Sequence, residues 1–310
     1  MRKNILIIGA GVVGGATGKG FLGKGHRVVF CDLSPNVRSR FAAEGYEVCE
    51  DYDLHGFDVA MLCVNTPTHN NRIKYDNLQQ AVRKLGTRLA DKSDYELVVV
   101  RCTALPGTTE QMIIPMLEHY SRKKAGGDFG VCVNPEFLRE VSAEDDFANP
   151  WLIVIGAYDK RSREKLKEMY EPFRADIVIT EIKVAEMTKY AHNMFNATKI
   201  SFFNEIHMVS QSLGINSDAV NSLVTKSAEG IWNPEYGIKG GRPYGGSCLP
   251  KDTRAFRTFA RELNLNHMVL LNAVIKVNEE MGEPVNGGER SESQQENTAA
   301  LDLDMAGITA

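Results

Sequence analysis

Apolar residues fall into two textures along this chain. In the first part, short β-branched runs at 3–8, 27–31, 57–64, 96–102, 129–133, 151–156 and 176–180 read as strands buried on both faces of a parallel sheet. Between them, 16–22, 77–89, 108–120 and 162–170 carry helical periodicity, with Thr108 or Thr109 as the expected cap of the third. This alternation predicts an α/β fold, a Rossmann-like doubly wound parallel sheet over residues 1–180. The texture then changes. From Ile182 to about Leu213 no turn signal interrupts a helical pattern, with Val184, Met187, Ala191, Met194 and Phe195 as the apolar stripe. Lys189 and Asn193 share another face with Glu186 and Asn196, and on pattern alone Lys189 reads as a solvent-facing charge. Further helices are expected at 217–224, 254–263 and 267–281, separated by a Gly- and aromatic-rich loop at 228–246. Residues 181–281 therefore form an all-helical domain, and the polar stretch 282–310 is expected to be disordered.

The chemistry collects at strand ends. Gly9-Ala10-Gly11-Val12-Val13-Gly14 joins the first strand to the first helix, and Asp32 ends the second strand. This is the dinucleotide fingerprint: glycines for a tight turn and close pyrophosphate approach, a helix N-terminus for the phosphates, an acid for the ribose hydroxyls. Gly9, Gly11, Val12, Val13, Gly14 and Asp32 are the expected cofactor contacts. A carboxylate repels a 2′-phosphate, so the cofactor is NAD, although Arg38 and Arg40 lie nearby in sequence. Thr66, Thr68 and Thr103 fall beyond strand ends, where ligands sit in open sheets, and each serves equally as a turn cap. Glu136 and Glu140 flank Phe137-Leu138-Arg139. If that piece is helical, the two carboxylates share one face, poised for acid–base work. The most specific stretch is Gly245-Gly246-Ser247-Cys248-Leu249-Pro250-Lys251-Asp252. It is a shaped loop in which Lys251 favours a Cys248 thiolate and Asp252 caps the run at 253–263. The plainer reading is a Gly-Pro turn holding a small apolar cysteine.

Composition narrows the class. With 310 residues, 43% hydrophobic, 25% charged and a net charge of -4, the chain has globular composition and no excess of positive charge for nucleic acid or anionic lipid. No apolar run approaches a membrane span, and the N-terminal run is too short for a signal-peptide core. Six cysteines without a C-x-x-C pair fit neither a zinc site nor a small disulfide framework, and a reducing cytoplasm is the expected location.

Five blocks in order resemble the UDP-glucose/GDP-mannose dehydrogenase family of nucleotide-sugar 6-dehydrogenases. They are the glycine fingerprint with Asp32; Val64-Asn65-Thr66-Pro67; Asn134-Pro135-Glu136-Phe137-Leu138-Arg139-Glu140; Glu186-Met187-Thr188-Lys189-Tyr190-Ala191-His192-Asn193; and the cysteine loop. The resemblance implies a UDP-glucose 6-dehydrogenase-like enzyme of polysaccharide biosynthesis. It would oxidise a sugar C6 alcohol to the acid with two NAD and no metal. Cys248 would form a thiohemiacetal and then a thioester; Lys189 and Asn193 would face the oxyanion; Glu136, Glu140, Asp252 and Thr103 would handle water and protons. Thr66 and Thr103 would touch NAD. Phe137, Leu138, Arg139, Lys189, Asn193, Tyr236 and Gly245 would hold the nucleotide sugar. The family also implies a homodimer through the helical domain and a third, C-terminal nucleotide-sugar-binding domain that this sequence does not show. The stretch Ile231-Trp232-Asn233-Pro234-Glu235-Tyr236 lacks the arginine of UDP-glucose members and looks closer to GDP-mannose members. Two alternatives stand beside this reading: an NAD-binding protein with impaired turnover, and a β-hydroxyacid dehydrogenase, in which the Gly-Gly-Ser-Cys loop would have no task.

Overall fold

A computed structural model describes residues 2–282; the expected disordered tail lies outside the described residues except for Gly282, which ends a helix. Contacts divide the chain into two units, one ending at Phe195 and one beginning at Asn196.

The first unit is built on an eight-stranded sheet. Its chain order is β1 (Asn4–Ile8), α1 (Val12–Gly23), β2 (Arg27–Cys31), α2 (Pro35–Ala43), β3 (Glu47–Cys49) and β4 (Val59–Leu62), then a small hairpin of β5 (Thr68–His69) and β6 (Arg72–Ile73). There follow α3 (Asp76–Ala90), β7 (Glu96–Val100), a π turn (Thr109–Ile113) leading into α4 (Ile114–Ser121), β8 (Phe129–Val133), α5 (Ala143–Ala148), β9 (Leu152–Ala157), α6 (Lys160–Tyr170), β10 (Asp176–Thr180) and the start of α7 (Ile182–Ser212). Spatial order is β10-β9-β8-β7-β4-β1-β2-β3. β8, β7, β4, β1, β2 and β3 run parallel, whereas β9 pairs antiparallel with β8 and parallel with β10, so the sheet is mixed at one side. Every residue of β4, β7 and β8 is buried, as expected where helices cover both faces. One face packs Ile5, Ile7, Val28, Phe30, Val59, Met61, Leu97 and Val99 into the core, and Phe21, Phe147, Tyr170 and Phe173 stack edge-on and tilted beneath α1. The chain winds one way from β1 to β3 and the other way from β4, which opens a crevice beyond the carboxyl ends of β1 and β4.

Three expectations are corrected here. The helix at 108–120 begins as the π turn, and neither threonine caps it. Thr108 Oγ1 donates to the Leu105 carbonyl at 2.6 Å; the Glu186 carboxylate supplies the cap, accepting from Gly107 N at 2.5 Å and Thr109 N at 2.9 Å. Residues 134–139 are not helical, since Pro135 and an Asx-like turn (Leu138 N to Glu136 Oε2, 2.8 Å) hold them extended, and only Glu140 enters a short 3₁₀ turn. Most telling is α7. Ile182, Ala185, Glu186 and Lys189 are its buried face, against Gly156 of β9, while Val184, Met187, Met194 and Phe195 of the supposed apolar stripe are exposed. A Cβ at Gly156 would meet Ala185 Cβ at 2.7 Å and Ile182 Cα at 2.9 Å, so only glycine lets α7 approach β9 this closely, and the buried polar groups are satisfied by specific partners.

At the opposite end of the sheet, Glu96 is fully buried. The Lys92 ammonium lies 3.1 Å from Glu96 Oε2, but no donor is well directed at either oxygen. Burial pushes the Glu96 carboxyl up to about 7 against the pull of Lys92. A carboxyl raised from about 4.3 on folding binds its proton more tightly in the folded state. Its stabilising contribution is complete below about pH 4 and is lost as pH rises to 7, by about 3 kcal/mol. Urea titrations of Glu96→Gln and the parent at pH 5 and pH 8 should show the variant gaining about 2 kcal/mol relative to the parent at the higher pH; a constant difference would contradict this placement.

The second unit contains the remainder of α7, α8 (Ser217–Ser227), α9 (Glu229–Trp232), α10 (Leu249–Glu262) and α11 (Val269–Gly282). Val209, Ala260 and Met268 form its small core with Phe256, Leu263, Leu265 and Leu271. Caps are explicit: Asn216 Oδ1 accepts from Asp218 N at 2.9 Å, and the Glu205 carboxylate accepts from Leu270 N and Leu271 N at 2.6 and 3.0 Å. Helix α10 starts earlier than expected, with Cys248 at its N-cap position and Pro250 in its first turn. Asp252 therefore lies inside the helix, its amide donating to the Cys248 carbonyl at 2.8 Å, and is not the cap.

Candidate active site

The crevice at the strand ends is a cavity of about 890 Å³. Gly9, Gly11, Val12, Val13, Asp32, Thr66, Thr103, Glu136 and Glu140 of the expected site all line it. Gly9 has φ of +94°, and a Cβ there would meet the Cys63 carbonyl at 2.9 Å. Gly14 seals α1 against β1: a Cβ would sit 1.9 Å from the Gly9 carbonyl oxygen and 3.0 Å from Ile7 Cγ2. At Gly11, by contrast, no protein atom lies within 4 Å of a built Cβ. The first turn of α1 has no side-chain cap and no acid. Its free amides beside an open glycine are a phosphate cradle. Gly14→Ala should therefore destabilise the unit by about 3 kcal/mol in urea denaturation. Gly11→Ala should leave the midpoint unchanged yet weaken NAD binding measured by calorimetry; equal destabilisation by both would contradict these roles.

Asp32 is held in place. Its Oδ2 accepts from Ala10 N and its Oδ1 from Ser34 N, both at 2.8 Å, and each oxygen keeps a lone pair for a ribose hydroxyl. Arg38 is committed elsewhere, to the carbonyls of Asp32 and Leu33 and to Glu50 at 2.8 Å. One of the two cations that had favoured a 2′-phosphate is thereby occupied. Thr66 Oγ1 donates to the Thr103 carbonyl at 2.8 Å, which joins the loops after β4 and β7 across the cavity floor.

Behind this floor lie the charged groups. Lys189 Nζ is 2.7 Å from Glu136 Oε1, with both side chains about nine-tenths buried. Glu186, one turn earlier on α7, fixes the loop after Thr103 through its cap of Gly107 and Thr109. Burial raises the Glu186 carboxyl, and the donors at Thr109 and Gly107 oppose that rise. Arg101, at the end of β7 and also buried, donates from Nη1 to both oxygens of Asn134 and to Tyr170 Oη, and from Nε to Thr17 Oγ1 at 2.8 Å. That network anchors Asn134-Pro135 and hence aims Glu136. Phe137 stacks on His192 at 4.9 Å between centroids. Arg139 is clamped by Asp146 through Nε at 3.0 Å and Nη2 at 2.6 Å, and Leu138 packs on the core. Asn193 is exposed on α7.

Glu186, Arg101 and His192 were not singled out for these roles. The readable signal for Glu186 was its position three residues before Lys189, on one helix face. Arg101 carried none, because a cation ending a β-branched strand looks like an edge charge.

Cys248, Tyr236, Gly245 and Asp252 belong to the second unit. All four are exposed; Gly246 has φ of +75°, and Lys251 Nζ pairs with Asp252 Oδ1 at 2.6 Å. The Lys251 charge is thus shared with Asp252.

A parallel sheet with a fingerprint glycine turn, an acid after β2 and a cavity at the switch point define a dinucleotide-binding α/β protein. The family profile described as the UDP-glucose/GDP-mannose dehydrogenase family, NAD binding domain, matches residues 33–174, and that family's central domain matches residues 183–280. The chain belongs to the UDP-glucose/GDP-mannose dehydrogenase family, and its cofactor is NAD. It is 37% identical to a GDP-mannose 6-dehydrogenase of Pseudomonas syringae pv. syringae, over 88% of this chain and 67% of that protein. It is 34% identical to a UDP-glucose 6-dehydrogenase of Haloferax volcanii, over 90% and 69%. Among solved structures, a ternary complex of GDP-mannose dehydrogenase from Pseudomonas aeruginosa matches with a TM-score of 0.83 at 32% identity, covering 91% of this chain and 69% of that one. A UDP-glucose dehydrogenase from Pyrobaculum islandicum gives 0.70 at 32%, covering 90% and 68%. The chain spans about two thirds of the length of these relatives. Among the described residues no helix is long and apolar enough to cross a membrane.

Proposed function

We propose that this chain oxidises the C6 alcohol of a nucleotide sugar to the carboxylate, with a GDP-mannose-type substrate preferred over UDP-glucose. The observation that carries the reading is the buried Lys189–Glu136 pair beside the NAD cavity. A fixed cation and a carboxylate that share one desolvated corner are equipped to hold an alkoxide and to move a proton. NAD, when bound, supplies the hydride acceptor. Lys189 and Asn193 stabilise the oxygen as it becomes negative. Cys248 adds to the intermediate aldehyde as a thiolate, giving a thiohemiacetal whose oxidation leaves a thioester. Glu136 accepts a proton from the water that hydrolyses it, with Glu140, Thr103 and Asp252 placing that water. Phe137, Leu138, Arg139, Tyr236 and Gly245 bind the sugar nucleotide, Arg139 through its backbone because its guanidinium is held by Asp146.

The GDP-mannose preference is supported by the higher identity and TM-score to proteins of that name and by a 231–236 loop without arginine. A homodimer through the helical unit belongs to the same reading, with Phe202, Val269 and Val277 exposed on its helices. NADH absorbance with GDP-mannose, UDP-glucose and UDP-N-acetyl sugars tests it: kcat/KM for GDP-mannose should exceed the others at least about tenfold, a difference of about 1.4 kcal/mol in transition-state binding. Faster turnover of UDP-glucose would overturn the substrate, and silence with all of them the activity.

A further inference from the structure

Cys31 and Cys49 end two adjacent parallel strands, β2 and β3, and the register makes them direct partners. Side chains at paired positions of neighbouring strands leave the same face of the sheet. Strands lie about 4.8 Å apart, within the roughly 4.4–6.8 Å between Cα atoms that a disulfide spans. The two thiols are close enough to perturb each other's titration, and Cys31 Sγ donates to the Glu50 carbonyl at 3.5 Å. Cys31 lines the NAD cavity and immediately precedes Asp32; Tyr52, just after Cys49, lines the same cavity.

The other sheet cysteines are unlike this pair. Cys63, Cys102 and Cys132 are buried, and burial is the main cause that pushes their thiols up, that of Cys63 to about 12. Cys49 is only half-buried. The neighbouring Cys31 thiol lowers its pKa, helped by the Lys84 and Arg38 cations against the cost of burial, and the proximity of Cys49 together with burial raises that of Cys31. Cys49 is thus the more acidic member and Cys31 the one that holds its proton more tightly, the polarity that thiol oxidation needs.

We propose that Cys31 and Cys49 form a dithiol that hydroperoxides oxidise to a disulfide, and that this bond weakens NAD binding. The Cys49 thiolate attacks one peroxide oxygen; the O–O bond breaks, and the departing oxygen takes up a proton and leaves as water. Cys49 is then a sulfenic acid. The Cys31 sulfur attacks the Cys49 sulfur; the S–O bond breaks, and the oxygen leaves as water with the Cys31 proton. The two thiols together lose two electrons and two protons, and hydrogen peroxide is reduced to two waters. The bond takes Cys31 Sγ from the Glu50 carbonyl and fixes the ends of β2 and β3 to each other through the sulfurs. Asp32, which must meet the ribose hydroxyls, follows Cys31 directly, and Tyr52 moves with the other strand end.

The test treats the whole chain with hydrogen peroxide, blocks free thiols with N-ethylmaleimide, and maps peptides by mass spectrometry after trypsin and Glu-C digestion. NAD affinity is measured by calorimetry before oxidation, after it, and after dithiothreitol. The expected result is a Cys31–Cys49 crosslinked peptide, an NAD Kd about tenfold weaker, in the ordinary range of coupling between sites, and full recovery on reduction. By the same linkage, saturating NAD should raise the midpoint potential of the pair by about 30 mV in a glutathione titration. Cys49→Ser should abolish the crosslink and keep NAD affinity constant through peroxide treatment; Cys31→Ala serves as the second variant if the first is unstable. Peptide mapping separates this pair from the exposed Cys248. Sulfinic acid at Cys49 with Cys31 still alkylated, or a crosslink with unchanged NAD Kd, would overturn the proposal.

Discussion

Lys189→Ala is expected to cut kcat about a hundredfold or more, the usual cost of removing one group that stabilises a developing oxyanion, and also to destabilise the fold. The ammonium is the partner of a carboxylate buried to a similar degree. Removing one member of such a pair leaves an uncompensated charge, a loss of about 3 kcal/mol. The two effects separate in a double-mutant cycle. Glu136→Gln added to Lys189→Ala should recover most of the stability, because no buried charge remains, but none of the turnover. Chemical denaturation and NADH kinetics on the four proteins read this directly. Recovery of activity together with stability would reduce Lys189 to a structural cation.

Cys248→Ser should have the opposite profile. Cys248 is exposed and its side chain caps nothing, so the denaturation midpoint and NAD affinity should stay as they are, within about 0.5 kcal/mol. Acid formation should fall about a thousandfold, since a serine hydroxyl lacks the thiolate fraction that makes cysteine a nucleophile. The first oxidation need not involve the sulfur, so some NADH with released aldehyde is the expected residue of activity. Retention of full acid formation by the serine variant would favour the β-hydroxyacid dehydrogenase reading instead.

How legible this molecule was depended on which force placed each residue. The sheet was readable because strands buried on both faces must be continuous apolar runs, and β4, β7 and β8 are buried throughout. The glycine turn and Asp32 were readable because backbone conformation and phosphate approach leave few residue choices. The first turns of α7 were misread for the converse reason. Periodicity assumes that the buried face is the apolar one, yet here small and charged residues turn inward to Gly156, the Thr109 helix start and Glu136. Apolar Val184 and Met187 turn outward. Only the resemblance to a known family had moved Lys189 off the surface. The non-helical path of 134–139 escaped notice because i, i+4 spacing of Glu136 and Glu140 has meaning only on a helix, and Pro135 with the Leu138 turn prevents one. The Glu186 cap joins residues far apart in sequence, which no local signal announces.

One measurement bears most directly on the covalent route. The protein is mixed with a turned-over nucleotide sugar and NAD, quenched in acid during steady state and digested with trypsin, and the peptide 240–251 is weighed. The expected result is a uronyl group esterified to the sulfur of Cys248, absent without NAD and absent in Cys248→Ser. An unmodified Cys248 peptide, in a reaction where the uronic acid is accumulating, would contradict it.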